Sequence, residues 1–349
     1  MEPTEASTGA AVPNAQPPTP RQDSWRASPT RCALVAIGGT AVVGCALMAL
    51  SVRQYESYGV TLFCLSPAIC GFLANVLHQW ARPATDGRIW VTTRAVVGVL
   101  AVLVSLILLV SLKLEGFICV LMALPFALGL AALGAFVGEG VAALSSRARP
   151  LPVLGLVLVL YPAAQEYEVR HPAPNTPHLV TTQLAVAAPP ARVWAALMQP
   201  VQYPPATGLF RAGVVYPVST AFARDAATGA RTLVCRYSQG LAHLPVVGWV
   251  PGRSLTFAVP AAHMPAPMRE ISPYPQIHAP HLHGYFQVDS GTFRLRPLPG
   301  GRTLLEARTV YRHTIGPRSY WQLWSDYLLD AMHQRVLATI KTQAERAHE

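Results

Sequence analysis

Hydrophobic and polar residues follow two different patterns in the two halves of this 349-residue chain. In the first half, charged residues rarely interrupt long apolar runs. Four of these runs are long enough, at about 1.5 Å of helical rise per residue, to cross a hydrocarbon core: about 32–52, 60–80, 92–112 and 117–137. A fifth run, at about 151–164, is shorter, so the pattern predicts four or five membrane-spanning helices.

In the second half, apolar residues recur at the spacings of strands and of one long helix. The run 302–315 alternates, and one face of it carries Leu305, Ala307, Thr309, Tyr311 and His313. With the similar run 291–296 it predicts an antiparallel hairpin. From Gly316 to Arg346 an amphipathic helix about 40 Å long is predicted to lie across the sheet, with an apolar stripe of Trp321, Trp324, Leu328, Met332, Val336 and Ile340.

These patterns divide the chain into four parts. Residues 1–31, rich in Pro, Ala, Thr and Ser without periodicity, are predicted to be a disordered tail. Residues 32–164 are the predicted transmembrane region, 165–178 a linker rich in proline and charge, and 179–346 a soluble domain. Within this domain we also predict a short helix after Pro189-Pro190 and strands at 181–187, 232–238 and 254–259.

Three short motifs in the second half are similar to those of a known superfamily. They are Ala188-Pro-Pro-Ala-Arg-Val-Trp194, the run Trp249-x-Pro-Gly-Arg-x-Leu-x-Phe257, and Gly-Thr-Phe-Arg-Leu at 291–295. With the long final helix, they make residues 179–346 resemble the SRPBCC or START-like superfamily, which includes the polyketide cyclase/dehydrase and lipid-transport group.

The resemblance implies a helix-grip fold, in which a curved antiparallel sheet wraps a long C-terminal helix and leaves an apolar cavity. The expected fold class is therefore a membrane all-α helical region followed by an α+β helix-grip (START-like) domain. The superfamily uses this cavity for hydrophobic molecules, and only some branches catalyse a reaction. It supplies no universal catalytic residues, and fold alone does not establish chemistry.

Arginine supplies almost all of the formal net charge of +10, because the chain contains only two lysines, Lys113 and Lys341. The arginines are scattered, so no nucleic-acid partner is expected. They lie before the first apolar run, between the second and third, and after the fourth, which predicts a cytoplasmic N terminus. The abundance of Ala, Pro and Arg indicates a bacterial protein, so the expected location is the inner (cytoplasmic) membrane. If the fifth run crosses, as we expect, the C-terminal domain is extracytoplasmic; if it lies in the interface, the domain is cytoplasmic.

The candidates for lining a ligand cavity are inward-facing aromatic and apolar side chains: Trp194, Tyr237, Phe257, Phe293, Tyr311, His313, Trp324 and Met332. Core filling is the alternative for most of them. His313 is also a candidate general base, with a hydrogen-bonded core histidine as the alternative. Asp326 and Asp330 lie one helical turn apart beside Tyr327, and we predict that they occupy a solvated helix face.

No metal or cofactor is expected. Histidines 263, 278, 281 and 283 lie in a proline-rich segment where spacing dictates no geometry, and the six cysteines show no paired motif. Glu306, Arg308 and Arg312 alternate away from the inward face of their strand, so surface ion pairs are predicted.

Three functions follow from these observations. The first is a membrane-anchored protein that contacts the lipid bilayer and binds a hydrophobic small molecule or lipid between sheet and helix. The second is a cyclase, dehydratase or hydrolase acting on such a molecule. The third is a non-catalytic assembly or sensory protein, which a cavity smaller than a few hundred Å³ would favour.

Overall fold

The computed structural model describes residues 28–81, 91–144, 150–224, 228–261, 264–265, 268 and 284–346. Almost all of the tail predicted to be disordered lies outside these residues. The first half of the chain contains the helices α1 (Pro29–Ala49), α2 (Ser66–Ala81), α3 (Val91–Ser111), α4 (Phe117–Leu144) and α5 (Pro150–Arg170). A π-helical segment, Leu50–Gln54, extends α1, and another, Thr61–Leu65, leads into α2.

Within the described residues, three helical stretches are long and apolar enough to cross a membrane: Thr30–Gln54, Thr61–Ala81 and Phe117–Val141. A shorter apolar stretch, Ala95–Ser111, lies in α3. Helices α2 and α4 approach each other at backbone distance, since a side chain at Gly71 would overlap the carbonyl of Ala131 and one at Gly134 would overlap that of Ala68. Such small-residue contacts are typical of helix packing in membranes.

Helix α5 is longer than the sequence predicts. It continues to Arg170, past the expected end at Ala164, and so includes part of the segment predicted as a linker. Polar contacts with the first two helices hold α5, since the Tyr161 hydroxyl lies 2.7 Å from the Ser51 hydroxyl. Two turns later, in the extension, the Glu168 carboxylate accepts a hydrogen bond of 2.9 Å from the backbone N–H of Thr61.

The second half forms one eight-stranded antiparallel sheet in the order β1-β8-β7-β6-β5-β4-β3-β2. Its strands are β1 (His178–Val186), β2 (Val201–Gln202), β3 (Pro217–Arg224), β4 (Arg231–Tyr237), β5 (Gly240–Val250), β6 (Ser254–Ala258), β7 (Phe286–Leu298) and β8 (Arg302–His313). Register shifts in β5 and β7, of the kind that bend a strand, accompany the curvature of the sheet.

Helix α7 (Arg318–Arg346) lies in the concave side of this sheet, with the short α6 (Pro190–Met198) against it. Leu337 and Ile340 of α7 pack on Leu305 of β8 in the core of the domain. Strands β7 and β8 form the predicted hairpin, with Leu295 opposite Leu305. The predicted fold class, a helical region plus a helix-grip domain with a curved antiparallel sheet and a long C-terminal helix, is confirmed.

Two predictions about polar positions are wrong. Glu306 is completely buried on the outer face of the sheet, where it accepts a hydrogen bond from Gln183 at 2.6 Å and pairs with Arg308 at 2.6 Å. Asp326 and Asp330 are half-buried and do not lie on a solvated face. Their carboxylates accept hydrogen bonds from Tyr311 (2.6 Å) and Thr182 (2.5 Å), because β1 and β8 wrap further around α7 than the helical period reveals.

The two halves of the chain are in direct contact. The backbone N–H of Gly316 donates to the carbonyl of Tyr58 at 2.8 Å, and the Tyr58 hydroxyl donates to the Glu115 carboxylate at 2.8 Å. The Tyr320 hydroxyl, at the start of α7, donates to the carbonyl of Met122 in α4 at 2.5 Å. The start of α7 and the loops that end α1 and α3 therefore form one junction.

Candidate functional site

A cavity of about 560 Å³ lies at this junction and extends to both sides of it. In the domain, its walls are the concave face of the sheet and the apolar stripe of α7, including Leu244, Phe286, Val288 and Leu328. On the other side, side chains of α1 to α4 form the wall. Pockets of about 300–1,000 Å³ hold drug-sized ligands, so this cavity has room for one.

The helical wall reaches well into the bundle. Small side chains leave the space there, namely Gly44 of α1, Cys70 of α2, Ser105 of α3 and Ala127 of α4. Ala127 lies ten residues after the start of α4 at Phe117, which is about 15 Å along the helix axis. The cavity is thus shared between the helical region and the domain.

Six of the eight residues predicted from the sequence as ligand-binding line this cavity: Tyr237, Phe257, Phe293, His313, Trp324 and Met332. The other two do not. Trp194 packs edge-on against Trp249, with ring centroids 5.2 Å apart, and lies against the core of the domain. The Tyr311 hydroxyl donates to Asp326, which fixes its ring between β8 and α7.

His313 is the polar group in the cavity wall that most clearly lacks a partner. Its side chain is almost completely buried, and neither ring nitrogen makes a well-formed hydrogen bond to any residue in the described part of the chain. Burial, followed by the nearby His178 and Arg318, lowers its pKa, while the carbonyl of Ile315 and the carboxylate of Asp326 act in the opposite direction. A neutral imidazole offers one donor and one acceptor to a ligand.

His333 of α7 also lines the cavity, but its hydrogen bonds are satisfied. Its Nδ1 lies 2.9 Å from the Thr182 hydroxyl and its Nε2 lies 2.7 Å from the Thr309 hydroxyl. Because the Thr182 hydroxyl donates its single proton to Asp330, Nδ1 must carry the imidazole proton, and Nε2 accepts from Thr309. Burial lowers the pKa of His333 to about 4, so it is neutral at physiological pH.

Apart from Arg308, which is paired with Glu306 at 2.6 Å, the domain wall also contains uncharged polar groups. Burial raises the pKa of the Cys235 thiol to about 12 and raises the pKa of Tyr237 well above its usual range. The Tyr203 hydroxyl is bonded to the Thr220 hydroxyl at 2.9 Å. A thiol with a raised pKa is a poor nucleophile, and the domain wall therefore suits an apolar or neutral ligand.

Phe257 depends on a glycine in the neighbouring strand. Its ring lies over Gly291, the residue opposite it in the β6–β7 ladder, and a side chain at Gly291 would overlap the ring. Glycine at this position leaves room for the Phe257 ring to lie against the sheet, where it forms part of the cavity wall.

Sequence reasoning missed the whole helical wall, and with it Tyr58 and Glu115. Glu115 is buried and lines the cavity at the junction. A charged residue in a loop is usually exposed, and nothing in the sequence around residues 113–116 signals that the domain covers it.

Within the described residues, no group of three or more His, Cys, Asp or Glu side chains is arranged to hold a metal ion. Histidines 263, 278, 281 and 283 lie outside those residues.

Comparison with known proteins gives structural neighbours but no family. No family model matches the chain, and no curated protein matches it. The Zhui aromatase/cyclase of a Streptomyces species is 14% identical, with a TM-score of 0.26, and the match covers 50% of this chain and 97% of that one. Norcoclaurine synthase of Thalictrum flavum is 10% identical, with a TM-score of 0.31, and covers 51% of this chain and 99% of the other.

A protein from Nitrosomonas europaea is 12% identical, with a TM-score of 0.30, and that match covers 49% of this chain and 96% of that chain. Each of these matches concerns about half of this chain. The activities in the neighbours' names belong to those proteins.

Proposed function

We propose that this chain is a multi-pass membrane protein that binds a hydrophobic small molecule or lipid in the cavity between its helices and its helix-grip domain. The observation that carries the proposal is the cavity itself, which is about 560 Å³ in volume and predominantly apolar. Pockets of this kind, with a few polar groups among apolar walls, are typical of small-molecule sites.

The size of the cavity also separates this proposal from the assembly or sensory alternative. That alternative was favoured by a cavity below a few hundred Å³, and the observed volume exceeds this limit. Protein interiors are otherwise close-packed, so an apolar space of this size is unusual unless a ligand fills it.

The contacts of α5 support a location of the domain outside the cytoplasm. Glu168, near the end of α5, bonds to Thr61 at the start of the second helix, and this end is the one on which the Tyr58–Glu115 contact and the domain lie. Helix α5 therefore runs from the end of the bundle near residue 150 to the end that carries the domain. With 21 residues it is about 31 Å long. Its uncharged part, 150–165, accounts for about 24 Å of this length, and the charged Glu166, Glu168 and Arg170 lie at the end that carries the domain.

Arg31 at the start of α1 and Arg94 at the start of α3 lie at the opposite end of the bundle, and four further arginines, Arg82, Arg88, Arg147 and Arg149, follow α2 and α4 in the sequence. By the positive-inside rule that end is cytoplasmic, and the domain is extracytoplasmic. A C-terminal fusion to alkaline phosphatase, which is active only outside the cytoplasm, tests this assignment. An active fusion is expected, while activity only of a cytoplasmic reporter such as β-galactosidase would contradict it.

Ligand binding is tested with the full chain in lipid nanodiscs, followed by organic extraction and mass spectrometry. We expect a hydrophobic compound in stoichiometric amount that is enriched over empty nanodiscs. Met332→Trp, which fills the cavity, should lose it, whereas Leu323→Trp, on the exposed face of the same helix, should retain it. A wild-type chain with no enriched compound, and no affinity for fatty acids, quinones or polyketides, would contradict the proposal.

A second candidate function is an enzyme that uses His313 as a general base. The observation that favours it is the buried, neutral imidazole with both nitrogens facing no protein partner of good geometry within the described residues. If the compound recovered from the wild-type chain is a product, His313→Gln should accumulate its precursor. Recovery of the same compound from both proteins would remove the catalytic role and leave binding.

A further inference from the structure

The cavity has a shape that restricts its ligand further, and this restriction rests on the proposed function. Its helical part is lined by the small side chains Gly44, Cys70, Ser105 and Ala127 together with the aliphatic Val102. Ser105 is already bonded to its own helix, since its hydroxyl donates to the carbonyl of Ala101 at 2.8 Å. This part of the cavity therefore accepts apolar surface and offers little to a polar group.

The position of His313 gives the polar end of the ligand. It stands two residues before Ile315, which packs against Met48 and Leu109 of the helical region. His313 thus lies at the boundary between the two halves, and it is the cavity-lining side chain in the described chain whose two polar atoms are both buried without a partner. Such a group gains a hydrogen bond when a ligand brings one.

The charges around the cavity disfavour an ionised ligand. Among the lining residues in the described ranges, Arg308 is the cationic side chain, and its guanidinium is paired with Glu306 at 2.6 Å. The carboxyl group of Glu115, buried at the junction, already accepts a hydrogen bond from the Tyr58 hydroxyl at 2.8 Å. Arg318 lies near His313 outside the cavity wall and donates to the Thr176 hydroxyl at 2.9 Å. An ionised head group of either sign would therefore enter an apolar cavity whose charged neighbours in the described ranges already have partners.

We infer that the ligand is an elongated, uncharged amphiphile, whose hydroxyl or carbonyl group meets His313 and whose single apolar chain extends between α1, α3 and α4 as far as Ala127. The distance from the start of α4 to Ala127 is about 15 Å, which is the length of an extended hydrocarbon chain of roughly ten to twelve carbons. Any further part of the ligand that is attached to the polar group would lie in the space between the sheet and α7.

The placement of the ligand's apolar chain is tested with two alcohols, dodecanol and hexanol. Their affinities for the full-length protein in amphipol are measured by equilibrium dialysis, with protein-free amphipol as the blank. Each buried methylene should tighten binding roughly fourfold, so dodecanol binds far more tightly. Ala127→Leu should weaken dodecanol at least tenfold and leave hexanol within twofold. The matched control is Gly129→Leu on the same helix, at an exposed position where a Cβ atom would meet no neighbour within 4 Å.

Hexanol binding also reports that the Ala127→Leu protein is folded. If that variant fails to fold, Ala123→Leu replaces it. Ala123 lines the same wall but is only half-buried, so a larger side chain is easier to accommodate there. Equal losses for both alcohols, or no loss for dodecanol in a folded variant, would overturn the placement of the chain.

The head group is tested with dodecanol and dodecanoate at pH 8. Dodecanol should bind at least tenfold more tightly than dodecanoate, and His313→Phe, of similar size, should weaken dodecanol and hexanol by the same factor of about ten. Dodecyl chloride, which lacks a hydroxyl group, should bind the wild type and His313→Phe equally well. A purely structural role of His313 would weaken the binding of dodecyl chloride as well. Tighter binding of dodecanoate would overturn the inference.

These outcomes are separate from failure of the proposed function. If neither alcohol binds but the purified chain retains another hydrophobic compound, the proposed function stands and the long-chain inference is wrong. If no hydrophobic compound of any kind binds, both are wrong.

Discussion

The neutral, buried His333 makes the stability of the domain depend on pH in a predictable way. Its Nε2 accepts a hydrogen bond from Thr309 at 2.7 Å, and protonation of that nitrogen would remove the acceptor. In the folded domain the pKa of His333 is about 4, against 6.5 for an unperturbed histidine. As the pH falls below about 6.5 the unfolded chain takes up the proton first, so stability decreases down to about pH 4 and not further.

The size of the effect follows from the two pKa values. Between pH 7.5 and pH 5 the loss in the free energy of unfolding amounts to about 2 kcal/mol. For a domain of this size that corresponds to a decrease in Tm of roughly 4–8 °C. Other groups titrate in the same range, so the prediction concerns the difference between the wild-type chain and a variant that cannot titrate at this position.

The assay is thermal unfolding of the full chain in nanodiscs, followed by tryptophan fluorescence at pH 7.5 and pH 5. His333→Gln should lower Tm at pH 7.5, because its amide cannot reproduce both hydrogen bonds, but it should lose less Tm between the two pH values than the wild type does. His243→Gln, which removes an exposed histidine of β5, is the matched control and should behave as wild type. If the wild type and His333→Gln lose the same Tm between pH 7.5 and pH 5, the reasoning is refuted.

Two further predictions concern packing. Gly134→Leu should separate α2 from α4, because its side chain would overlap the carbonyl of Ala68. Overpacking of this kind costs about 1–3 kcal/mol or more. In nanodiscs this variant should therefore have a lower Tm than Gly129→Leu, and equal Tm values would contradict the prediction. Tyr311→Phe leaves the half-buried Asp326 without its donor at 2.6 Å, which should cost about 1.5–3 kcal/mol; guanidinium titration measures it, and an unchanged midpoint would show that Asp326 finds another partner.

The sequence predicts well those elements whose pattern comes from one dominant environment. The stripe of α7 and the alternation of β8 each repeat over many residues, and both elements are present where predicted, with Leu305 and Ile340 in the core. In the first half, long apolar runs with few charged residues likewise predict the helices. In these regions local periodicity and tertiary environment agree.

Three strands escaped prediction: β2, which has only two residues, and the longer β3 and β5, whose sequences do not alternate. β5 contains Pro245 and Gly248, and a register shift follows Val246, which breaks the period of two. β3 is rich in alanine, serine and threonine, and most of its side chains are only half-buried. Neither pattern differs enough from that of a loop.

The candidate site was only partly predictable, because tertiary contacts decide which side of the cavity an aromatic residue reaches. Trp194 and Phe257 look equally suited in sequence, yet Trp194 packs on Trp249 in the core and Phe257 lines the cavity. Glu306 is buried because neighbouring strands supply Gln183 and Arg308 around it. That Ala127 lines the cavity could not be predicted from the sequence, because it depends on how the two halves of the chain meet.

The measurement that tests the central claim most directly is an experimental density map of the full chain in a lipid nanodisc. The account predicts continuous density for a bound molecule in the cavity, passing His313 and reaching Ala127 between the helices. A map in which side chains close the space between the domain and the helices, or in which the domain stands apart from the bundle, would contradict it.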